Sequence, residues 1–115
     1  MKFLSLEKED QLEQISAAKD PQIVFKHNTT CPISKGVLRD LREEDSVLPA
    51  DIPFYILDLL SHRNISDTIA EKYNVTHASP QLLLLSNGKC VYDQSLYDIT
   101  PEETAKAIQE LQASE

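Results

Sequence analysis

Residues 31–34 read Cys-Pro-Ile-Ser, a short stretch with one nucleophilic sulfur at its head. Proline is favoured at the first position of a helix, where its missing N–H would be unpaired anyway. With Pro32 at that position, Cys31 becomes the N-cap. An N-cap side chain is placed to accept hydrogen bonds from the N–H groups two and three residues on, here Ile33 and Ser34. The positive end of the helix dipole lies beneath it. Such donors favour the thiolate, the form of cysteine that attacks disulfides. Ser34 stands where a dithiol motif would carry its second cysteine, and its hydroxyl is a further donor to the sulfur. His27, four residues before Cys31, is placed to donate to the thiolate, to shuttle a proton, or simply to cap a strand. By residue type alone, a small buried cysteine that opens a helix explains Cys31 as well.

Charge around this stretch runs against the rest of the chain. Between residues 26 and 42, Lys26, Lys35, Arg39 and Arg42 are opposed only by Asp40, in a chain of net charge −8. Two readings stand: the solvated basic face of a helix, or a patch that stabilises a thiolate and attracts an anionic thiol. The overall acidity argues against general nucleic-acid binding and against a polybasic membrane surface. The longest fully apolar run is Leu82 to Leu85, far short of a membrane span. The opening MKFLSLEKED lacks the apolar core of a signal peptide, so a cytoplasmic protein is expected. In a reducing compartment Cys31 and Cys90, the two cysteines, are free thiols. His27, His62 and His77 form no helical pair and no zinc-finger spacing occurs, so no metal site is expected.

Delivering Cys31 takes a strand before it and a helix after it. Ile23, Val24 and Phe25 are consecutive within residues 22–27, the continuity of an interior strand covered on both faces. Ile33, Val37 and Leu41 predict a helix from about Pro32 to Glu44. Cys31 then lies at the C-terminal end of an interior strand, where open α/β sheets put their ligands. Upstream, Leu12 and Ile15 mark a helix over 7–18, stopped by Asp20-Pro21. Downstream, residues 54–59 read as a second interior strand, and Ile65, Ile69 and Tyr73 form one helical stripe. Residues 81–86 and 89–94 make a hairpin about Asn87-Gly88, because both turn positions need positive φ. Thr100 as N-cap, Pro101 after it and Glu103 three residues on open a terminal helix. Residues 2–6 supply a short edge strand. The expected product is one α/β domain over residues 1–115, a mixed sheet of four to five strands flanked by helices.

Four segments resemble the YtxJ-type monothiol bacilliredoxins, a branch of the thioredoxin-like superfamily: KHNTTCPIS at 26–34, DLLSHRNIS at 58–66, THASPQ at 76–81 and NGKCVYDQSLYDIT at 87–100. The resemblance spans nearly the whole chain. It implies a thioredoxin-like fold, Cys31 as the reactive cysteine with Pro32, Ile33 and Ser34 around it, and a cis peptide bond before Pro80. Two departures stand out. Thr30 occupies a position where relatives often have arginine, which removes a positive charge beside the thiol. Cys90 and Tyr92 stand where they often have valine and tryptophan.

The function so implied is thiol exchange with bacillithiol, a small thiol that caps protein cysteines under oxidative stress. Bacillithiol is then a co-substrate, with no bound cofactor, S-thiolated proteins are the clients, and a monomer is favoured. Ser79 and Pro80 form the client-binding loop, with the Ser79 backbone turned toward an extended segment. With Ser34 in the second position no local thiol can expel the adduct, so a second small thiol must do so. Two alternatives stay open: an iron–sulfur cluster carrier like the monothiol glutaredoxins, which have Gly-Phe where this chain has Pro32-Ile33, and a non-catalytic adaptor on the same fold. His77 and Arg63 reach the site only if the fold brings them. Cys90 is expected opposite Leu85, five strand residues or roughly 17 Å from the level of Pro80, too far to resolve an adduct.

Overall fold

The computed structural model describes residues 1–114; Glu115, the end of the expected domain, lies outside them. In chain order the elements are β1 (Lys2–Ser5), α1 (Glu9–Ala17), β2 (Gln22–His27), α2 (Pro32–Glu43), β3 (Pro53–Asp58), α3 (Arg63–Tyr73), β4 (Gln81–Ser86), β5 (Lys89–Ser95) and α4 (Pro101–Ala113). Two short 3-10 turns, Asp45–Val47 and Leu96–Asp98, join them and were not legible in the hydrophobic pattern. The five strands form one mixed sheet in the order β1-β3-β2-β4-β5. β1 and β2 run parallel to β3, whereas β4 is antiparallel to β2 and β5 to β4. The fold is the α/β, thioredoxin-like arrangement that the resemblance implies.

β2 is central, and its consecutive apolar residues are the reason: Ile23, Val24 and Phe25 have no exposed surface. The pleat sends them to opposite faces. Ile23 and Phe25 pack with Val37 and Leu41 of α2 and Ile108 of α4. Val24 packs with Leu12 and Ile15 of α1 and Ile65 and Ile69 of α3. Each such side chain contributes about 1.5–3 kcal/mol on burial. The hairpin turn has φ of 55° at Asn87 and 76° at Gly88, as its two-residue form requires. A Cβ on Gly88 would stand 3.3 Å from the Ser16 carbonyl, so glycine also permits α1 to approach. Thr100 caps α4 by accepting the Glu103 N–H at 3.1 Å. No helix among the described residues is long and apolar enough to cross a membrane.

Candidate active site

β2 ends at His27, and residues 28–30 turn the chain into α2. Asn28 shapes the turn: its Oδ1 accepts the Thr30 N–H at 3.0 Å and the Thr30 hydroxyl at 2.8 Å, a local closure typical of asparagine. Thr30 is thus exposed and engaged with Asn28. Cys31 follows as the N-cap in extended conformation, with Pro32 opening the helix. Its N–H donates to the Asn28 carbonyl at 3.1 Å, and its carbonyl accepts the Lys35 N–H at 3.0 Å, the first bond of the helix. The placement matches the sequence reading, but the expected cap does not form: the Cys31 side chain makes no capping hydrogen bond. A thiol sulfur is a weak acceptor, so nothing folds it back over the helix. It stays partly exposed beyond the C-terminal end of the central strand, with the N–H groups of Ile33 and Ser34 in the turn that precedes the first intrahelical bond.

Ser34 corrects a second expectation. It has no exposed surface, and its Oγ lies 2.6 Å from His27 Nδ1 while accepting the Asn28 N–H at 3.0 Å. The hydroxyl has one proton; given to Nδ1, it leaves the oxygen free to accept from Asn28. Ser34 therefore fastens α2 to the end of β2 instead of serving the sulfur. His27 is correspondingly committed to Ser34 through Nδ1 rather than to Cys31. Burial holds its imidazole below the ordinary histidine range; Asp58 opposes this, and Arg42 and Lys35 reinforce it.

The basic patch loses a member. Lys26 has no exposed surface and faces α3: its Nζ lies 3.3 Å from His77 Nδ1 and 3.4 Å from the Ser66 carbonyl. Strand alternation is the cause, since neighbours in β2 point to opposite faces; His27 meets α2, so Lys26 must meet α3. The same alternation, applied to residues 22–27, was the signal that sequence reading passed over. Lys35, Arg39 and Arg42 remain on α2, lining a shallow groove with His27, Leu38 and Glu43. Arg39 is 3.7 Å from Asp40, an exposed pair of little energetic weight, and Arg42 lies over the Phe3 ring.

The Ser79–Pro80 bond is cis, as the resemblance implies. Lys26 pairs with Gln81 across β2 and β4, which sets Pro80 level with His27 at the end of the sheet where Cys31 sits. The Pro80 carbonyl accepts the Leu96 N–H at 3.1 Å. Ser79 Oγ is buried without a hydrogen-bond partner in the structure. The fold also adds a residue that no sequence pattern singled out. Tyr97 is 73% exposed and lines a groove with Pro32, Ile33, Gly36 and Arg39. Leu96, before it, takes φ of 55°, an uncommon conformation for leucine that turns this segment toward α2. A lone exposed tyrosine in a polar stretch carries no periodicity to read.

Cys90 pairs with Leu85, as expected, beyond a register shift between Leu84 and Leu85. It packs against the α1 and α3 core, donates weakly to the Tyr92 carbonyl at 3.4 Å, and burial beside Asp93 pushes its thiol up to about 11. Such a thiol stays protonated and unreactive near neutrality. Cys90→Ala is accordingly expected to leave exchange rates within about twofold of the parent. A Cys31–Cys90 disulfide in peptide maps of oxidised monomer would contradict the register.

Comparison with known proteins places this geometry. The sequence model described as monothiol bacilliredoxin BrxC matches residues 4–104. A solved structure described as an oxidoreductase with a thioredoxin fold is 34% identical, covers 91% of this chain and 92% of its own, and superposes with a TM-score of 0.77. Thioredoxin from Trypanosoma brucei brucei has a TM-score of 0.77 at 12% identity, over 97% of this chain and 92% of its own. Thioredoxin from Malassezia sympodialis has a TM-score of 0.74 at 19% identity, over 96% and 90%. The last two are similar in fold alone.

Proposed function

The chain belongs to the monothiol bacilliredoxin family, and from that premise we propose that this redox thiol protein removes bacillithiol from S-thiolated proteins through Cys31. In the first step the Cys31 thiolate attacks the bacillithiol sulfur of a client's mixed disulfide. A Cys31–bacillithiol bond forms, the client–bacillithiol bond breaks, and the client leaves as thiolate. In the second, a free bacillithiol thiolate attacks the adduct and releases oxidised bacillithiol and Cys31 thiolate. Over the two steps the client sulfur is reduced to the thiolate and the free bacillithiol sulfur is oxidised to the disulfide, and no metal or bound cofactor enters. Pro32 and Ile33 flank the sulfur, Ser34, His27 and Thr30 hold the turn that presents it, and Ser79 and Pro80 receive the extended client. The clients are taken to be cytoplasmic, met by a monomer.

One observation carries the one-thiol mechanism. Ser34, in the place of a second cysteine, is buried and committed to His27, while Cys90 lies on the hairpin opposite Leu85. No second thiol stands where it could expel an adduct from Cys31. Intact-mass spectrometry after mixing with oxidised bacillithiol, and separately with oxidised glutathione, tests the proposal. The expected result is one bacillithiol adduct on Cys31, removed by free bacillithiol and formed faster than the glutathione adduct. Absence of any adduct would sink it, and a coloured protein with sulfur-to-iron charge-transfer absorption would favour a cluster carrier instead.

A further inference from the structure

Among the described residues Lys26 is the only charged side chain that is fully buried, and the exchange chemistry makes no use of it. Its amine meets an imidazole nitrogen and a carbonyl, not a carboxylate: His77 Nδ1 at 3.3 Å and Ser66 O at 3.4 Å. Ser66 Oγ also lies 3.3 Å from His77 Nδ1. An ammonium can only donate, so the ring nitrogen accepts from Lys26 only while it carries no proton, and its single lone pair also faces the Ser66 hydroxyl. His77 belongs to the loop from Thr76 to Pro80 that ends in the cis bond. Gln81 Nε2 donates to the Thr76 carbonyl at 2.9 Å, a tie within the loop's own base. The His77 ring ties that loop to Lys26 of β2 and Ser66 of α3.

We propose that Lys26 is a positioning residue for client exchange: its buried amine clamps His77 against Ser66 and so sets where Ser79 and Pro80 stand beside the Cys31 end of the sheet. The proposal rests on the exchange reading of Cys31. The clamp is sensitive to protons at both ends. Burial lowers His77 below the ordinary histidine value, with Lys26 and Arg63 adding to the shift and Asp67 opposing it. Burial likewise brings Lys26 down to about 8, with Asp67 opposing and Arg63 reinforcing. The charges that face the pair are thus Arg63 and Asp67 of α3, which lie 3.6 Å from each other. On the flanking strands the register partners of Lys26 are Leu57 and Gln81, neither of which titrates. As pH falls through the His77 pKa, a proton on Nδ1 puts an N–H against the amine. The clamp opens on the acid side.

The test compares two substrates of the same sulfur. One is oxidised bacillithiol; the other is a ten-residue peptide whose single cysteine is disulfide-bonded to bacillithiol. Their ratio of rates cancels the ionisation of Cys31, which both share. In the parent this ratio is expected to hold near neutrality and to fall only below about pH 6.5, on the acid side of the ordinary histidine value. Lys26→Met is expected to lower kcat/KM for the peptide by about tenfold or more, as misplacement of a remote group can, with the small disulfide nearly unaffected and the ratio flat with pH. If that variant does not fold, His77→Gln takes its place: the amide oxygen can still accept from Lys26 but does not titrate, so the ratio should stay at its high-pH value throughout. Equal loss for both substrates, no loss for either, or a fall toward acid that persists in His77→Gln would overturn the clamp. A parent protein that forms no adduct with oxidised bacillithiol would instead sink the exchange reading, and this proposal with it.

Discussion

Cys31→Ser is expected to abolish mixed-disulfide formation with oxidised bacillithiol, leaving only the mass of the unmodified variant in the spectrum. A hydroxyl cannot form the sulfur–sulfur bond on which both steps depend, and Cys90, half-buried with its thiol pushed up to about 11, lies at the other end of β4. The substitution separates chemistry from folding. The Cys31 side chain makes no capping hydrogen bond, whereas serine is a strong N-cap worth about 0.5–2 kcal/mol over residues that cannot cap. The variant should therefore melt no lower than the parent. An adduct that survives in Cys31→Ser would move the reactive sulfur to Cys90 and contradict the site as built.

Ser34→Ala is expected to do the opposite, weakening the fold more than the chemistry. Removal of the hydroxyl leaves His27 Nδ1 and the Asn28 N–H without their partner. An unsatisfied buried polar group costs about 1–3 kcal/mol. At roughly 4 °C per kcal/mol for a domain near this size, thermal unfolding should show the loss plainly. Exchange through Cys31 should persist, slowed only as far as the loosened turn lets the sulfur wander. Complete loss of exchange in a variant that remains folded at the assay temperature would mean that the hydroxyl acts on the sulfur after all.

Periodicity and turn chemistry are local, and they determined most of what is local here. The run Ile23-Val24-Phe25 suits a strand covered on both faces, and it lies at the centre of the sheet with no exposed surface. Pro32 after Cys31 set the helix start, Asn87-Gly88 set the hairpin, and Thr100 set the last cap. The quoted segments, read as a family resemblance, added the cis bond before Pro80, which no local rule would have favoured. Sequence also placed Cys90 opposite Leu85, because hairpin register follows from the turn.

The tertiary structure alone decided where polar side chains spend their hydrogen bonds. Ser34 was read as a donor to the sulfur one turn away, yet it is committed to His27 and Asn28, because α2 packs its buried face onto the end of β2. Lys26 was grouped with Lys35, Arg39 and Arg42 by proximity in the chain, yet the pleat carries it through the sheet to His77. Tyr97 reaches the groove beside Pro32 only because the turn after β5 lies against α2. Chain proximity fixes which residues can share an element, but the pleat and helix docking fix which face each presents. A hydrogen bond between residues such as Lys26 and His77 depends on that three-dimensional choice.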